Sequence, residues 1–138
     1  MRTARAAIII LCSLVVVAAF MVPNAKAQRR QAAERGVRPA TEAKINARLM
    51  SEIYRRRGEA KARGVQPGPT DVRIDRHGRA YVDVHAEVTP PLRKKIAALG
   101  GRVVSTSATY NSIVAWMPLL TIERLASDGT VRAIEPAH

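Results

Sequence analysis

The sequence predicts an α+β domain over residues 80–138, with a four-stranded antiparallel sheet that carries two helices on one face. Three observations carry that reading. Residues 81–88 (Tyr-Val-Asp-Val-His-Ala-Glu-Val) alternate apolar and polar, the period of a half-buried strand. Thr89-Pro90-Pro91 then stops the strand and opens a helix whose apolar residues, Leu92, Ile96 and Leu99, recur at i, i+4 and i+7. A further strand, helix and strand follow a turn at Asn111-Ser112, so the element order is β-α-β-β-α-β.

Each element has its own local chemistry. Thr89 is a good N-cap, and Pro90 suits the first helical position because its missing N–H would have had no partner there. Gly100-Gly101 ends the helix, since glycine accepts the left-handed conformation of a C-cap. Val103 to Tyr110 is rich in Val, Ser and Thr and predicts a strand; Ile113 to Met117 predicts the next, broken by Pro118. Leu119 to Ser127 predicts a second helix with Ile122, Leu125 and Ala126 inward, closed by Asp128-Gly129. Thr130 to Glu135 is a last short strand, ended by Pro136.

Right-handed crossovers put both helices on the same side of such a sheet and leave its other face open. In this order the first and third strands form the central pair. If Val82, Val84, Ile113, Ala115 and Met117 face the helices, then Asp83, His85, Val114 and Trp116 point to the open side. Trp116 is the only tryptophan, and an exposed Trp on an open sheet is an interface anchor. A register slip of one residue exchanges the faces and would bury it instead.

The N-terminal part has a different character. Arg2 and Arg5 precede an apolar run from Ala6 to Phe20; Pro23 and Asn24 break it, and Ala25-Lys26-Ala27 is an A-x-A cleavage site. The run is shorter than the roughly 20 residues that a spanning helix needs. Residues 1–27 therefore predict a signal peptide, cleaved near Ala27, and a secreted or periplasmic protein. Cys12, the only cysteine, lies inside that segment, so the mature chain has no disulfide and no thiol chemistry. With Arg2, Arg5 and Lys26 removed, the formal charge of +12 becomes +9, and residues 28–64 hold most of it, with eleven basic and four acidic residues.

Residues 28–39 show no apolar period and predict disorder. Ala40 to Arg57 predicts a helix, capped by Thr41, with Ile45, Leu49 and Ile53 in a narrow stripe and Arg55-Arg56-Arg57 at the negative end of its dipole. Such an arm either docks loosely on its own domain or lies as a basic amphipathic helix on an anionic membrane surface. Residues 65–79 form a linker and lead-in, with Val72 and Ile74 as a short strand and Asp75-Arg76-His77-Gly78 as a turn.

Little in the sequence points to catalysis. His77, His85 and His138 have no companion at metal-ligand spacing, and there is no G-x-S-x-G elbow or phosphate loop. His85 shares a strand face with Asp83 and Glu87, which is either an acid–base or metal set or an ordinary polar outer face; alternate strand residues on a flat sheet favour the latter. No enzyme activity, metal or cofactor is expected. A pI near 11.2 raises nucleic acid, but Tyr81 and Trp116 alone do not make the aromatic-rich sheet of RNA-binding domains, and export argues against it.

Gly100-Gly101-Arg102-Val103, Tyr110, Ala115, Leu125 and Val131-Arg132-Ala133-Ile134-Glu135-Pro136-Ala137-His138 resemble the propeptide of subtilisin-like serine proteases and the related stand-alone propeptide-like inhibitors. The resemblance covers residues 80–138. It implies a ferredoxin-like fold whose open face packs on two surface helices of the protease, while the segment after the last strand lies in the active-site cleft like a product. It implies two roles, templating the folding of the protease and inhibiting it. Ile134, Glu135, Pro136, Ala137 and His138 match the start of the cleft-binding segment, and Glu135 matches an acidic position that caps an enzyme helix. No protease domain follows His138 in the sequence, so action in trans on a subtilisin-like serine protease is expected. The basic arm is no part of the family pattern. It supports the alternative of an envelope-associated structural or adaptor protein, or an inactive detached propeptide fragment, held at the membrane surface.

Overall fold

A computed structural model describes residues 39–138. The predicted signal peptide (1–27) and the start of the arm (28–38) lie outside the described residues. The elements are two helices, α1 (Ala40–Ala43) and α2 (Ala47–Arg57), then β1 (Arg79–Ala86), α3 (Pro90–Ala98), β2 (Arg102–Ser107), β3 (Ser112–Pro118), a 3-10 turn (Leu119–Thr121), α4 (Ile122–Ala126) and β4 (Val131–Pro136). The four strands form one open antiparallel sheet in the order β2-β3-β1-β4, so β1 and β3 are the central pair.

The period-2 stretch forms β1, shifted two residues towards the N-terminus. Ala80, Val82, Val84 and Ala86 are buried, as are Ile113, Ala115 and Met117 on β3. Thr89 caps α3, its hydroxyl accepting from the Leu92 N–H at 3.4 Å, and Leu92 and Ile96 are buried. The two glycines after α3 play different parts. Gly100 adopts a positive φ of 82°, the left-handed conformation that ends the helix. Gly101 is there for space: a Cβ would collide with Met117 Sδ and stand 2.8 Å from Ile96 Cγ2.

The arm departs most from expectation. It is two helices, broken at Lys44-Ile45-Asn46, and Thr41 caps neither. α1 has no side-chain cap, while the Asn46 side chain accepts from the Arg48 N–H at 2.9 Å and caps α2. The break has a structural use. Ile45 forms a parallel bridge with Ile134, with Asn46 N–H to Ile134 C=O at 2.9 Å and Ile134 N–H to Lys44 C=O at 2.8 Å. The arm thus covers part of the outer edge of β4, an edge that would otherwise present unpaired groups.

Ile45, Leu49, Met50 and Ile53 are all buried in the same cluster as the sheet and the other helices. The core is therefore not confined to residues 80–138, and the docking is not loose. Full burial of a Leu or Ile side chain contributes roughly 1.5–3 kcal/mol, so these residues rank with those of the sheet. Polar contacts tie the two arm helices to each other and to the rest of the domain. Tyr54 Oη donates to the buried Glu42 carboxylate at 2.9 Å, Arg57 pairs with Glu123 of α4, and Lys44 Nζ donates to the Asp128 carbonyl at 3.0 Å. The Glu123 carboxylate raises the Arg57 pKa above its ordinary value, against the opposing pull of burial.

The lead-in also pairs. Tyr81 N–H donates to Arg73 C=O at 2.9 Å, and Ile74 bridges Ala80. Asp75 closes the turn by accepting from the N–H groups of His77 (2.8 Å) and Arg79 (2.9 Å) and from Arg79 Nε (2.7 Å). Desolvation opposes the charge on Asp75, but these bonds together outweigh it and lower the Asp75 pKa. β2 is the exposed edge strand, with a bulge that leaves Val104 half in solvent.

Candidate functional site

The side of the sheet away from the core carries the candidate site. Parity along β1 puts Tyr81, Asp83 and His85 there, and the antiparallel register sets them opposite Trp116, Val114 and Ser112 of β3. On the other side of β1, Glu135 stands opposite Asp83 and Ala133 opposite His85. The expected open-face set of Asp83, His85, Val114 and Trp116 is thus brought together, in the expected register, with Trp116 half-buried rather than in the core.

The face has an aromatic end and a charged end. The Tyr81 and Trp116 rings lie 4.9 Å apart, inclined by 37°. The Arg73 guanidinium lies over both, 4.8 Å from the Tyr81 centroid and 5.9 Å from that of Trp116, within cation–π range. At the other end His85 Nε2 is 3.9 Å from Asp83 Oδ2 and 3.7 Å from Glu135 Oε2. Ser112 Oγ donates to Asp83 Oδ1 at 2.6 Å, which orients that carboxylate.

Glu87, expected to share this cluster, is exposed beyond the end of β1; Glu135 takes the third place instead. Sequence reasoning missed that pairing because it depends on β4 lying beside β1 in one particular register, and no local pattern encodes a register. It also missed Arg73, whose position follows from the pairing of the lead-in with Tyr81. The placing of Ser112 opposite His85 is likewise a matter of register.

The arrangement suits contact rather than enclosure. Side chains from alternate residues of neighbouring strands stand side by side on one surface, and Asp83, His85 and Trp116 are each only part-buried. Among the described residues no group of three or more His, Cys, Asp or Glu side chains is arranged to hold a metal ion.

The C-terminal residues sit differently from the expected trailing segment. Ile134, Glu135 and Pro136 belong to β4, so Pro136 is in the strand rather than after it. Ile134 is fully buried, and its N–H and C=O are taken by the arm. Glu135 is exposed on the open face. Ala137 is buried and donates its N–H to Tyr81 C=O at 3.0 Å, which leaves His138 as the exposed last residue. Compared with protein-family models, with curated proteins and with solved structures, the chain matches none.

Proposed function

We propose that this chain is an exported, non-catalytic protein-binding module of ferredoxin-like design, acting in trans on a subtilisin-like serine protease as inhibitor or folding chaperone. The observation that carries the reading is the uncovered face of the central strand pair, with Tyr81 and Trp116 side by side on it. Aromatic side chains held rigidly on strands lose little entropy on binding and supply most of the energy of many interfaces. Arg73 at one end and Asp83 and Glu135 at the other give the face a charge direction, which fixes the orientation of a partner. Two crossovers on a β2-β3-β1-β4 sheet also agree with the propeptide resemblance.

The face is the primary contact in this reading, and the C-terminal residues are secondary, because Ile134 to Ala137 are engaged within the domain. Glu135 contributes from the face itself. The test is inhibition and refolding of subtilisin-like proteases by residues 39–138, beside a Trp116→Ala variant. Micromolar inhibition or assisted refolding, weakened by the substitution, is expected. No effect of the wild-type domain on either process refutes the reading.

The alternative, an envelope-associated adaptor held by the basic arm (28–64), would have to rest on the arm's charges rather than its apolar stripe. The apolar stripe Ile45, Leu49 and Ile53 is spent in the core and is not free to enter a bilayer.

A further inference from the structure

We propose a membrane-contact patch, separate from the open sheet face, where the turn before β1 meets the 3-10 turn after β3. A groove of about 460 Å³ lies there, lined among others by Arg56, Asp75, Arg76, His77, Leu119 and Leu120. Leu120 is 47% exposed, one of only three large apolar side chains so exposed among the described residues. Leu119 is buried beside it and forms the floor.

The charges around this leucine are one-sided. Asp75 is taken up by Arg79 and the turn backbone, and Glu123 by Arg57. Among the described residues no carboxylate pairs with Arg56 or Arg76, nor with Arg124, four residues after Leu120 in the chain. The Arg56 guanidinium lies close over Gly78, where a Cβ would stand 3.2 Å from it. That position, with φ of 73°, is one that glycine takes easily, and its missing side chain leaves room for the arginine. Arg76 Nε donates to His77 Nε2 at 3.2 Å and is held at the rim.

Two guanidiniums without acid partners on the groove that the exposed leucine lines, with Arg124 four residues along the chain, fit the interface of an anionic bilayer. Phosphate groups answer the arginines, and the boundary between headgroups and acyl chains answers the leucine. A soluble polyanion would have no use for Leu120, which is why the lipid surface is the occupant argued for. A protein exported across a membrane meets such a surface directly.

The experiment is co-sedimentation of the full-length protein with vesicles of phosphatidylcholine alone and with vesicles containing phosphatidylglycerol. The ratio of the two partition coefficients cancels whatever residues 6–20 contribute to both. The triple substitution Arg56→Gln, Arg76→Gln, Arg124→Gln is expected to lower that ratio at least about tenfold. The triple Arg93→Gln, Lys94→Gln, Arg102→Gln makes the same charge change elsewhere and is expected to lower it less than about threefold. Leu120→Ser is expected to weaken binding to both kinds of vesicle. Equal losses for the two triples would mean that net charge alone acts, and would overturn the patch. So would an unchanged Leu120→Ser partition, or binding of soluble polyglutamate with the same dependence on Arg56, Arg76 and Arg124, which would assign the patch to an acidic protein segment.

Discussion

Leu49→Ala tests the claim that the arm belongs to the fold. Leu49 lies on α2, outside the predicted β-α-β-β-α-β domain, yet it is fully buried and packs in the cluster that includes Val84, Leu125 and Ile134. Truncation of a buried leucine removes its transfer free energy and leaves a cavity, at a cost of about 2–5 kcal/mol. A value within that range, about 3 kcal/mol, lowers Tm by roughly 12–24 °C in a domain of about 100 residues. The assay is thermal unfolding of residues 39–138 followed by far-UV circular dichroism, with urea unfolding as a second measure. Val104→Ala is the control, because Val104 is 50% exposed on the bulge of the edge strand and should change stability by less than about 0.5 kcal/mol. Deleting the arm sharpens the test: residues 65–138 alone should fail to give a cooperative transition. If Leu49→Ala lowers Tm by less than about 2 °C, or residues 65–138 unfold at the same temperature as residues 39–138, then the arm is an ornament and the reasoning fails.

Other substitutions probe other links. Gly101→Ala should cost about 1–3 kcal/mol, because its Cβ must displace Met117 or Ile96 in a packed core; Gly100→Asn, at a left-handed position, should be milder in the same urea titration. Trp116→Ala should lower domain stability by only about 1 kcal/mol but weaken the proposed protease contact at least about thirtyfold, measured as the inhibition constant against unfolding midpoint. Asp128 anchors the turn before β4: Lys95 Nζ donates to its carboxylate at 2.9 Å, and Thr130 donates both its N–H and its hydroxyl. The Lys95 ammonium, with help from Thr130, holds that carboxyl well below the ordinary aspartate range. Its stabilisation is therefore complete above the unfolded-state value of about 4 and fades as pH falls through the lower folded-state value. Asp128→Ala should cost about 1–2 kcal/mol at neutral pH, and the gap in Tm between variant and wild type should narrow steadily as pH falls below about 4.

Legibility in the sequence followed the range of the interactions involved. β1 could be read because alternation from Tyr81 is a local consequence of one buried face, and α3 because Thr89, Pro90 and the stripe from Leu92 are local signals. The assignment of Val82, Val84, Ile113, Ala115 and Met117 to the core followed from the same period and holds. What required distant partners was lost. Lys44-Ile45-Asn46 carries a helical apolar stripe in its sequence, but the pull of β4 on Ile45 breaks the helix there. The helical pattern from Leu119 was right in direction, yet its first turn is 3-10, with the Thr121 hydroxyl donating to Pro118 C=O at 2.9 Å. On the candidate site, Asp83, His85, Val114 and Trp116 were legible by parity. Arg73 and the contact between His85 and Glu135 were not, since both arise from which strand lies beside which.

The same long-range pairing decides how the C-terminus can take part in binding. To lie extended in a cleft, a segment must first leave the sheet. Releasing Ala137 breaks one backbone hydrogen bond, to Tyr81, at a net cost of about 0.5–1.5 kcal/mol, which a modest contact with an enzyme could offset. Releasing Ile134 is a different matter. It breaks two hydrogen bonds to the arm and exposes a fully buried side chain, which adds roughly 1.5–3 kcal/mol and loosens the dock of α1 and α2 as well. The boundary between residues available to a partner and residues committed to the fold therefore falls between Ile134 and Ala137. Glu135 escapes this choice, because its side chain already stands on the open face while its backbone stays paired with Asp83. A partner that uses the rigid face and Glu135 asks no unfolding of the domain, whereas one that draws out the whole strand must undo the arm that holds it.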